Sequence, residues 1–174
     1  MIYKDSKNIC VKPFCKKYIN DIWEYSIDKR LYDHLEYDVF SSFDVFFEWL
    51  INKQTSSSMH CITLIDSDKC IGTITISDLD WNRKSCSIGY ALSPKYQKKG
   101  FFYESLSIVI GELKEIGIHR VWAITSQENT ASISALKKMN FQNEGVLNDY
   151  YLIKKEKFTK HNYKNAAILS LILN

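Results

Sequence analysis

One basic turn, Gln97-Lys98-Lys99-Gly100, carries the residue types best suited to hold a charged ligand. An apolar run at 88–92 precedes it and predicts a buried strand, and the pattern of Phe101–Glu115 predicts a helix. The first backbone N–H groups of a helix have no internal partner, and the helix dipole adds positive potential there. Gly100 lets a bound group approach the backbone closely. The segment is therefore interpreted as an anion site, suited to a phosphate-bearing cofactor.

The same turn has a second interpretation. A Lys-Lys-Gly sequence before a helix is often a solvated connection, since glycine commonly marks a change of chain direction. The segment contains neither a Walker motif nor a full dinucleotide fingerprint. Lys95, Lys98 and Lys99 add positive charge under both interpretations, which stay open on the turn alone.

The composition is that of an ordinary globular protein. The 174 residues are 45% hydrophobic and 25% charged, enough for one domain with a substantial core. A net charge of +3 with scattered lysines does not favour nucleic-acid binding. No apolar run reaches the length of a bilayer, and the first residues lack the pattern of a signal peptide. We therefore expect a single cytoplasmic domain over residues 1–174 that binds neither nucleic acid nor membrane.

The cysteines and histidines predict neither a disulfide framework nor a metal site. The five cysteines are widely spaced and include no Cys-x-x-Cys pair, which favours reduced and mostly buried thiols. The four histidines are isolated from one another. Cys86, beside a predicted strand, is a candidate reactive thiol, and core packing is the simpler interpretation of its position.

The hydrophobic pattern along the chain predicts an α/β protein with a mixed sheet. Antiparallel hairpins come first, and a strand–helix–strand crossover that makes two strands parallel follows. The order is β-α-α-β-β-β-α-β-α-β-β, in which the last two symbols cover three C-terminal strand segments, and ligands of such sheets bind at the carboxyl ends of strands beside the crossover helix. The predicted strands are 9–13, 60–65, 70–77, 85–92, 120–125, 141–147, 150–153 and 165–173, and the predicted helices are 18–27, 43–53 with Ser41 or Ser42 as its cap, 101–115 and 131–139.

Three segments in this order resemble the GNAT superfamily of acetyl-CoA-dependent N-acetyltransferases. They read IGYALSPKYQKKG at 88–100, ENTASISALKKMNF at 128–141 and EGVLNDYY at 144–151. The chain most resembles the RimJ/RimL-type branch, which acetylates the N-termini of ribosomal proteins. The resemblance covers nearly the whole chain, most strongly 72–151. It implies the GNAT fold, in which helices flank a central mixed sheet.

The resemblance also implies acetyl-CoA as cosubstrate, with no metal. In the family, a Gln/Arg-x-x-Gly-x-Gly/Ala turn wraps the diphosphate with backbone N–H groups. The preceding strand pairs with the pantetheine arm, and two parallel strands separate to admit the thioester. An Asn near that arm matches Asn129, which has helix capping as a second explanation. The implied cofactor-binding positions are Tyr90, Ala91, Leu92, Gln97, Lys98, Lys99, Gly100, Phe101, Phe102 and Asn129.

Two positions depart from the family pattern. Phe102 stands where Gly or Ala is usual, and its ring would crowd the diphosphate unless it points into the core. Ser87 stands where many relatives carry a Glu that orients a water as general base. The resemblance therefore assigns no group that removes the proton of the acceptor.

The resemblance implies two catalytic groups. The backbone N–H near Leu92 would stabilise the oxyanion, and Ser132 would give a proton to the departing thiolate as general acid. Many relatives use a Tyr for that proton, but Leu136 occupies the matching position. A Ser in the first turn of a helix is also commonly a cap, so Ser132 has that alternative.

The implied acceptor is a primary amine, either a protein N-terminus or a small amine such as an amino-sugar nucleotide, a polyamine or an aminoacyl compound. Carboxylates and aromatic rings suit a cationic amine, although packing or a solvated surface explains the same residues. A non-catalytic acyl-CoA-binding domain is a further hypothesis, and a monomer or homodimer is expected. The candidate acceptor-binding residues are Glu36, Trp81, Asp149 and Tyr150.

Overall fold

A computed structural model describes residues 2, 4–34, 38–152 and 163–174, and their strands form one mixed sheet. The order across the sheet is β1-β2-β3-β4-β5-β6-β8-β7. The pair β5 and β6 is parallel, and the other neighbouring pairs are antiparallel. The predicted mixed sheet is confirmed. The strands are β1 Lys4–Asp5, β2 Ile9–Pro13, β3 Ser58–Leu64, β4 Cys70–Asp80, β5 Ser85–Leu92, β6 Arg120–Ser126, β7 Gln142–Leu152 and β8 Tyr163–Ile172.

The α-helices begin and end close to the predicted positions. They are α1 Ile19–Ser26, α2 Phe43–Ser56, α3 Phe101–Glu115 and α4 Thr130–Lys138. Ser42 caps α2, since its hydroxyl accepts the Val45 N–H at 3.3 Å. Gly117, with φ +85°, follows the C-terminus of α3. None of the helices in the described part of the chain is long and apolar enough to cross a membrane.

The C-terminal strands differ from the sequence prediction. The segments predicted at 141–147 and 150–153 form one strand, β7, whose register against β8 shifts twice. The second shift lies between Leu147 and Tyr151, where Asp149 adopts a left-handed φ of 51°. The residues between the two predicted strands therefore form a bulge within one strand. Position 153 lies outside the described residues.

The larger core lies between the sheet and helices α3 and α4. Leu106 and Val109 of α3 and Leu136 of α4 pack there against strand residues such as Ile88. Cys86 is fully buried in the same core, and burial raises the pKa of its thiol to about 11. A thiol with a raised pKa is a poor nucleophile, which fits the packing interpretation.

Helices α1 and α2 cover the opposite face of the sheet. Ile22 of α1 and Phe46 and Leu50 of α2 form a second cluster with Cys61 of β3. The next residue, Ile62, belongs to the larger core, as the alternation of side chains along a strand requires. The sheet therefore has helices on both faces, and the crossover helix α3 starts beside the carboxyl end of β5.

Candidate functional site

A gap opens between the parallel strands β5 and β6. The two strands pair at Ser85 with Arg120, Cys86 with Val121 and Ser87 with Trp122. Among the described strands, β5 then continues to Leu92 beside β4 alone, and β6 continues to Ser126 beside β8 alone. We call the space between 88–92 and 123–126 the gap. It corresponds to the strand separation that the family resemblance implies.

The hydrogen-bond pattern of β4 and β5 indicates which backbone groups face the gap. The Ser93 N–H donates to the Ile71 carbonyl directly opposite, at 2.8 Å. Hydrogen-bonded and non-hydrogen-bonded pairs alternate along antiparallel strands, so the backbone N–H and carbonyl of Ala91 also form hydrogen bonds with β4. The backbone groups of Tyr90 and Leu92 then face the gap. The Leu92 N–H, the predicted oxyanion donor, is therefore one of the groups that face the gap.

The turn after β5 is shaped to receive an anion. The Gln97 side-chain amide donates to the Leu92 carbonyl at 3.0 Å and ties the turn to the end of the strand. Lys98 and Gly100 have left-handed φ values of 61° and 88°. Left-handed residues turn successive N–H groups into a concave surface, which suits phosphate oxygens.

The N-terminus of α3 completes this turn. Gly100 is its N-cap and offers no side-chain oxygen to the first N–H groups of the helix. A Cβ added at Gly100 would meet no atom within 4 Å, so the space before the helix is open. These features fit a diphosphate at the position where the resemblance implies one.

The lysines around the turn have different surroundings. Lys95 forms an ion pair with Glu24 of α1 at 2.9 Å, so it contributes less charge to the turn than expected. The Lys99 ammonium lies 5.4 Å from the centre of the Tyr96 ring. Lys98 and Lys99 are both exposed and stay beside the turn, where they add positive potential.

The Phe102 ring packs inward. Its centre lies 4.5 Å from that of Tyr90, and both rings pack against the larger core. The ring therefore does not cover the N-terminal face of α3. The departure from the small residue of the family leaves the turn open, and it supplies an aromatic partner for Tyr90.

A hydrogen-bonded set links β5 to α4 beside the gap. The Tyr90 phenol oxygen lies 2.7 Å from the Ser132 hydroxyl oxygen. The Ser132 N–H donates to the Asn129 side-chain carbonyl at 3.1 Å, so Asn129 caps α4. Burial raises the pKa of Tyr90 to about 12, which keeps the phenol protonated at neutral pH. Leu136, at the family's usual Tyr position, is fully buried in the core.

A second hydrogen bond, missed by the sequence analysis, lies at the closed end of the gap. The buried Ser87 hydroxyl donates to the Asp78 carboxylate of β4 at 2.6 Å. Asp78 lies in the register shift between Ser77 and Asp80, with φ 50°. The pairing of Ser77 with Ser87 brings the two residues together. Only the register of the β4–β5 hairpin could have indicated this contact.

Among the described residues, the candidate acceptor-binding positions lie in two separate places. The Asp149 N–H donates to the side-chain oxygen of Asn165 in β8. The Asn165 backbone carbonyl accepts the N–H of Gln127, the residue after β6, so Asp149 lies near the carboxyl end of β6. The exposed Tyr150, next to Asp149, packs edge-on against Tyr151. Trp81 is 57% exposed in the β4–β5 connection, at the other end of β5. Glu36 lies outside the described residues.

A strand gap with an anion-shaped turn at its mouth is the arrangement of an acyl-CoA-dependent acyltransferase fold. Residues 9–142 match the family model described as the acetyltransferase (GNAT) domain. The chain therefore belongs to the GNAT acetyltransferase family. The predicted family and the N-acetyltransferase class are confirmed.

Curated relatives carry N-acetyltransferase names. The chain is 36% identical over 86 residues to the uncharacterized N-acetyltransferase YoaA of Bacillus subtilis (strain 168), a match that spans 49% of each protein. It is 26% identical over 141 residues to YnaD of the same organism, across 80% of this chain and 82% of YnaD. It is 31% identical over 90 residues to the [ribosomal protein uS5]-alanine N-acetyltransferase of Escherichia coli (strain K12), across 51% and 46%. The first and third matches span about half of those proteins.

Solved structures share the fold over nearly the whole chain. A probable GNAT acetyltransferase from Chromobacterium violaceum superposes with a TM-score of 0.85 at 20% identity, covering 97% of this chain and 84% of that one. RimL, a ribosomal L7/L12 α-N-protein acetyltransferase in complex with coenzyme A, superposes with a TM-score of 0.78 at 16% identity, covering 99% of this chain and 98% of RimL. Spermidine N-acetyltransferase from Vibrio cholerae, in complex with coenzyme A and spermine, gives 0.76 at 14%, covering 95% of each chain. The GNAT fold is thereby confirmed.

Proposed function

We propose that this chain transfers the acetyl group of acetyl-CoA to a primary amine by direct attack in a ternary complex. The observation that carries this proposal is the gap between β5 and β6, with the left-handed turn at its mouth. In the reaction the amine nitrogen bonds to the acetyl carbon, the carbon–sulfur bond breaks, and coenzyme A leaves as the thiol. The acceptor ammonium loses its proton to a base. Cys86 has no part in this direct transfer.

The turn and the edge of β5 hold the cosubstrate in this proposal. The N–H groups of Lys98, Lys99, Phe101 and Phe102 bind the diphosphate oxygens, and Gly100 lets them approach. The backbone groups of Tyr90 pair with the pantetheine amides in place of a strand, and the Leu92 N–H is kept for the thioester. Acetyl-CoA supplies the acetyl thioester. The amide of Asn129 reaches the same arm while its carbonyl oxygen caps α4.

Two further groups stabilise the charge that develops during transfer. The Leu92 N–H donates to the thioester carbonyl oxygen as negative charge grows there, and loss of such a donor typically costs 10²- to 10³-fold in kcat. Ser132 gives its proton to the departing sulfur. The protonated phenol of Tyr90 donates to the Ser132 oxygen, which leaves the Ser132 proton directed at the sulfur and makes Tyr90 a positioning residue.

The acceptor we favour is a protein N-terminal α-amine, in a cytoplasmic reaction. The E. coli relative at 31% identity over 90 residues is named for an alanine N-terminus, which supports this choice. Asp149 and Tyr150, near the open end of the gap, are proposed to contact the peptide beyond its first residue. Trp81 and Glu36 remain candidates for a more distant part of the acceptor.

The test is release of thiol from acetyl-CoA with a panel of acceptors. The panel holds ribosomal-protein N-terminal peptides, polyamines, amino-sugar nucleotides and aminoacyl compounds. The thiol reagent is added after quenching, because the exposed Cys15 would react with it. Turnover with peptides alone supports the proposal, and turnover with a small amine alone replaces the favoured acceptor. Coenzyme A binding by calorimetry without any turnover would instead indicate a domain that only binds.

A further inference from the structure

We propose that Asp78, positioned by Ser87, receives the proton of the acceptor ammonium, and that the acceptor lies over Gly89. This inference rests on the proposed acetyl transfer and names its acceptor site. The relevant surface is the side of β5 away from α3, where Ser87 and Gly89 lie two residues apart and share one face.

The backbone of β4 is distorted at Asp78. Its φ of 50° is a left-handed value that residues other than glycine rarely adopt, although Asp tolerates it better than most. The register of β4 against β5 shifts at the same place. Bulges of this kind redirect a side chain, and here the carboxylate is turned onto the Ser87 hydroxyl. The distorted backbone therefore holds the Asp78 carboxylate in a fixed position.

The carboxylate is held through one oxygen, and no cationic side chain in the described part of the protein pairs with it. Ser87 is 8% exposed and donates to the Oδ2 atom of Asp78, whose side chain is otherwise exposed. Within the described ranges, no Lys, Arg or His forms an ion pair with Asp78, in contrast with carboxylates such as Glu24 and Asp68. A fixed carboxylate without a cation is suited to an ammonium group.

The other charged groups near this end of the hairpin have their own surroundings. Asp80 accepts two backbone N–H groups of the connection and lies 3.7 Å from Arg83. On β6, Arg120 forms an ion pair with Glu144 of β7. Lys84 is exposed in the connection. None of these groups neutralises Asp78.

The position of the pair fits the path of an acceptor. Ser87 is the last residue of β5 that pairs with β6, so the pair marks the closed end of the gap. Gly89 is exposed, and a Cβ added there would meet no atom within 4 Å. Residues two apart on a strand are separated by about 7 Å, so a group over Gly89 lies close enough to exchange a proton with the carboxylate through water molecules. The open surface over Gly89 therefore connects the gap with the carboxylate.

The proton balance is complete. Ser87, which holds the carboxylate, lies five positions before Leu92, which holds the thioester oxygen. The ammonium therefore transfers one proton through water molecules along this face of β5 to the Asp78 carboxylate, which later releases it to solvent. The free amine then attacks the thioester carbon, and its nitrogen loses a second proton as the carbon–sulfur bond breaks. The sulfur leaves with the Ser132 proton, and the second nitrogen proton restores the Ser132 hydroxyl through solvent, so the net products are the amide, the thiol of coenzyme A and one proton in solvent. Ser87 keeps its own proton, since it only holds the carboxylate.

The first experiment compares the full chain with its Asp78→Asn variant, using acetyl-CoA and a peptide that begins with alanine. We expect kcat at pH 7 to fall about 100-fold, within the usual range for a lost proton acceptor. The loss should shrink to less than about 10-fold at pH 9.5, because an α-amine with a pKa near 8 is already unprotonated there. An equal loss at every pH, or a loss below about threefold at pH 7, would overturn the proposal.

Asp66→Asn is the matched control. Asp66 is also an exposed aspartate that accepts a serine hydroxyl, from Ser67 at 3.0 Å, but it lies in the β3–β4 connection. Its substitution should leave kcat unchanged at all pH values. Ser87→Ala should reduce kcat about 10-fold and keep the wild-type pH profile, since the carboxylate remains. If Ser87→Ala instead gave the pH profile of Asp78→Asn, Ser87 would do more than hold the carboxylate in position.

A second variant tests the acceptor site without changing Asp78 or the distorted backbone around it. Gly89→Val adds a side chain in extended backbone where space is open, so the strand should keep its stability. We expect unchanged coenzyme A affinity by calorimetry and at least 10-fold weaker binding of the alanine peptide to the coenzyme A-loaded chain. Unchanged peptide binding would remove the acceptor from this surface.

The same binding measurement separates this inference from the proposed function. Peptide binding that depends on Asp78 without any acetyl transfer would refute the transfer and keep the amine site. Transfer that is indifferent to Asp78→Asn and Gly89→Val would refute the amine site and keep the transfer. A wild-type chain that neither binds nor acetylates the peptide would overturn the inference for an α-amine.

Discussion

The phenol of Tyr90 lies within 2.7 Å of the Ser132 hydroxyl and joins β5 to the first turn of α4. The sequence indicated both residues separately, Tyr90 for the cosubstrate and Ser132 for the leaving thiolate. Their hydrogen bond places both residues at the same point beside the gap. Phe102 supports the arrangement from the other side, since its ring packs against Tyr90.

Ser132→Ala is expected to reduce kcat between about 10- and 100-fold, because the departing thiolate loses its proton donor. Tyr90→Phe should reduce kcat by about 3- to 10-fold, since the serine keeps its proton but loses the partner that orients it. Stopped assays of thiol release measure both. Ser134→Ala, an exposed serine on the same helix, is the control and should be silent. A normal kcat for Ser132→Ala would leave Ser132 with a structural role only.

Gly100→Trp should abolish coenzyme A binding in calorimetry, because a large side chain would fill the open space before α3. Gly117→Trp is the matched control. Gly117 has φ +85°, nearly the +88° of Gly100, and lies at the other end of α3 with the same open surroundings. Both variants carry similar backbone strain, so a difference in binding reports on the turn. Equal coenzyme A affinities in the two variants would contradict a diphosphate site there.

Asn129→Asp separates the two roles of Asn129. An Asp keeps the oxygen that accepts the Ser132 N–H, so the thermal midpoint should change little. It removes the amide N–H₂, and the KM for acetyl-CoA should rise about tenfold, the equivalent of one hydrogen bond. Asn129→Ala should lower both stability, by about 1 kcal/mol, and acetyl-CoA affinity. A wild-type KM in Asn129→Asp would show that the residue is a cap alone.

The stability of the protein should depend on Tyr90 at high pH. Burial raises the pKa of Tyr90 from its ordinary 10.0 to about 12, so the folded state holds this proton more tightly than the unfolded state. The resulting stabilisation is fully present below pH 10 and is lost as pH rises toward 12. Thermal unfolding between pH 9 and 11.5 should therefore show a steeper decline for the wild type than for Tyr90→Phe. Parallel declines would mean that the phenol is not held in a buried, protonated state.

Much of the fold near the site followed from local sequence signals. The bounds of β5 and α3 agree with the prediction, because Pro94, Gly100 and Gly117 interrupt strong apolar patterns. The β7 bulge was predicted as a break between strands, since Asn148 and Asp149 have turn character in isolation. Only pairing with β8 makes that segment continuous.

The site contacts that the sequence did not indicate depend on how strands and helices pair in the fold. Lys95 meets Glu24 of α1, and Asp78 meets Ser87 across a hairpin whose register shifts. No local pattern encodes either contact, because each depends on which strands and helices become neighbours. The sequence also did not indicate which backbone groups of β5 face the gap. The assignment of Tyr90 and Leu92 to the gap required the hydrogen bond between Ser93 and Ile71.

The short pairing of β5 with β6 also affects the cohesion of the molecule. Three residue pairs join a half-sheet of β1 to β5 with a half-sheet of β6, β8 and β7. The neighbouring β6–β8 pair, in contrast, runs the full length of β6. Resistance to shearing between the halves therefore depends on side chains of the larger core, such as Leu106 and Val109, more than on the backbone ladder. A ligand that bonds to the free edge of β5 and also contacts β6 would add interactions between the two halves, so we expect ligand binding to make them harder to separate.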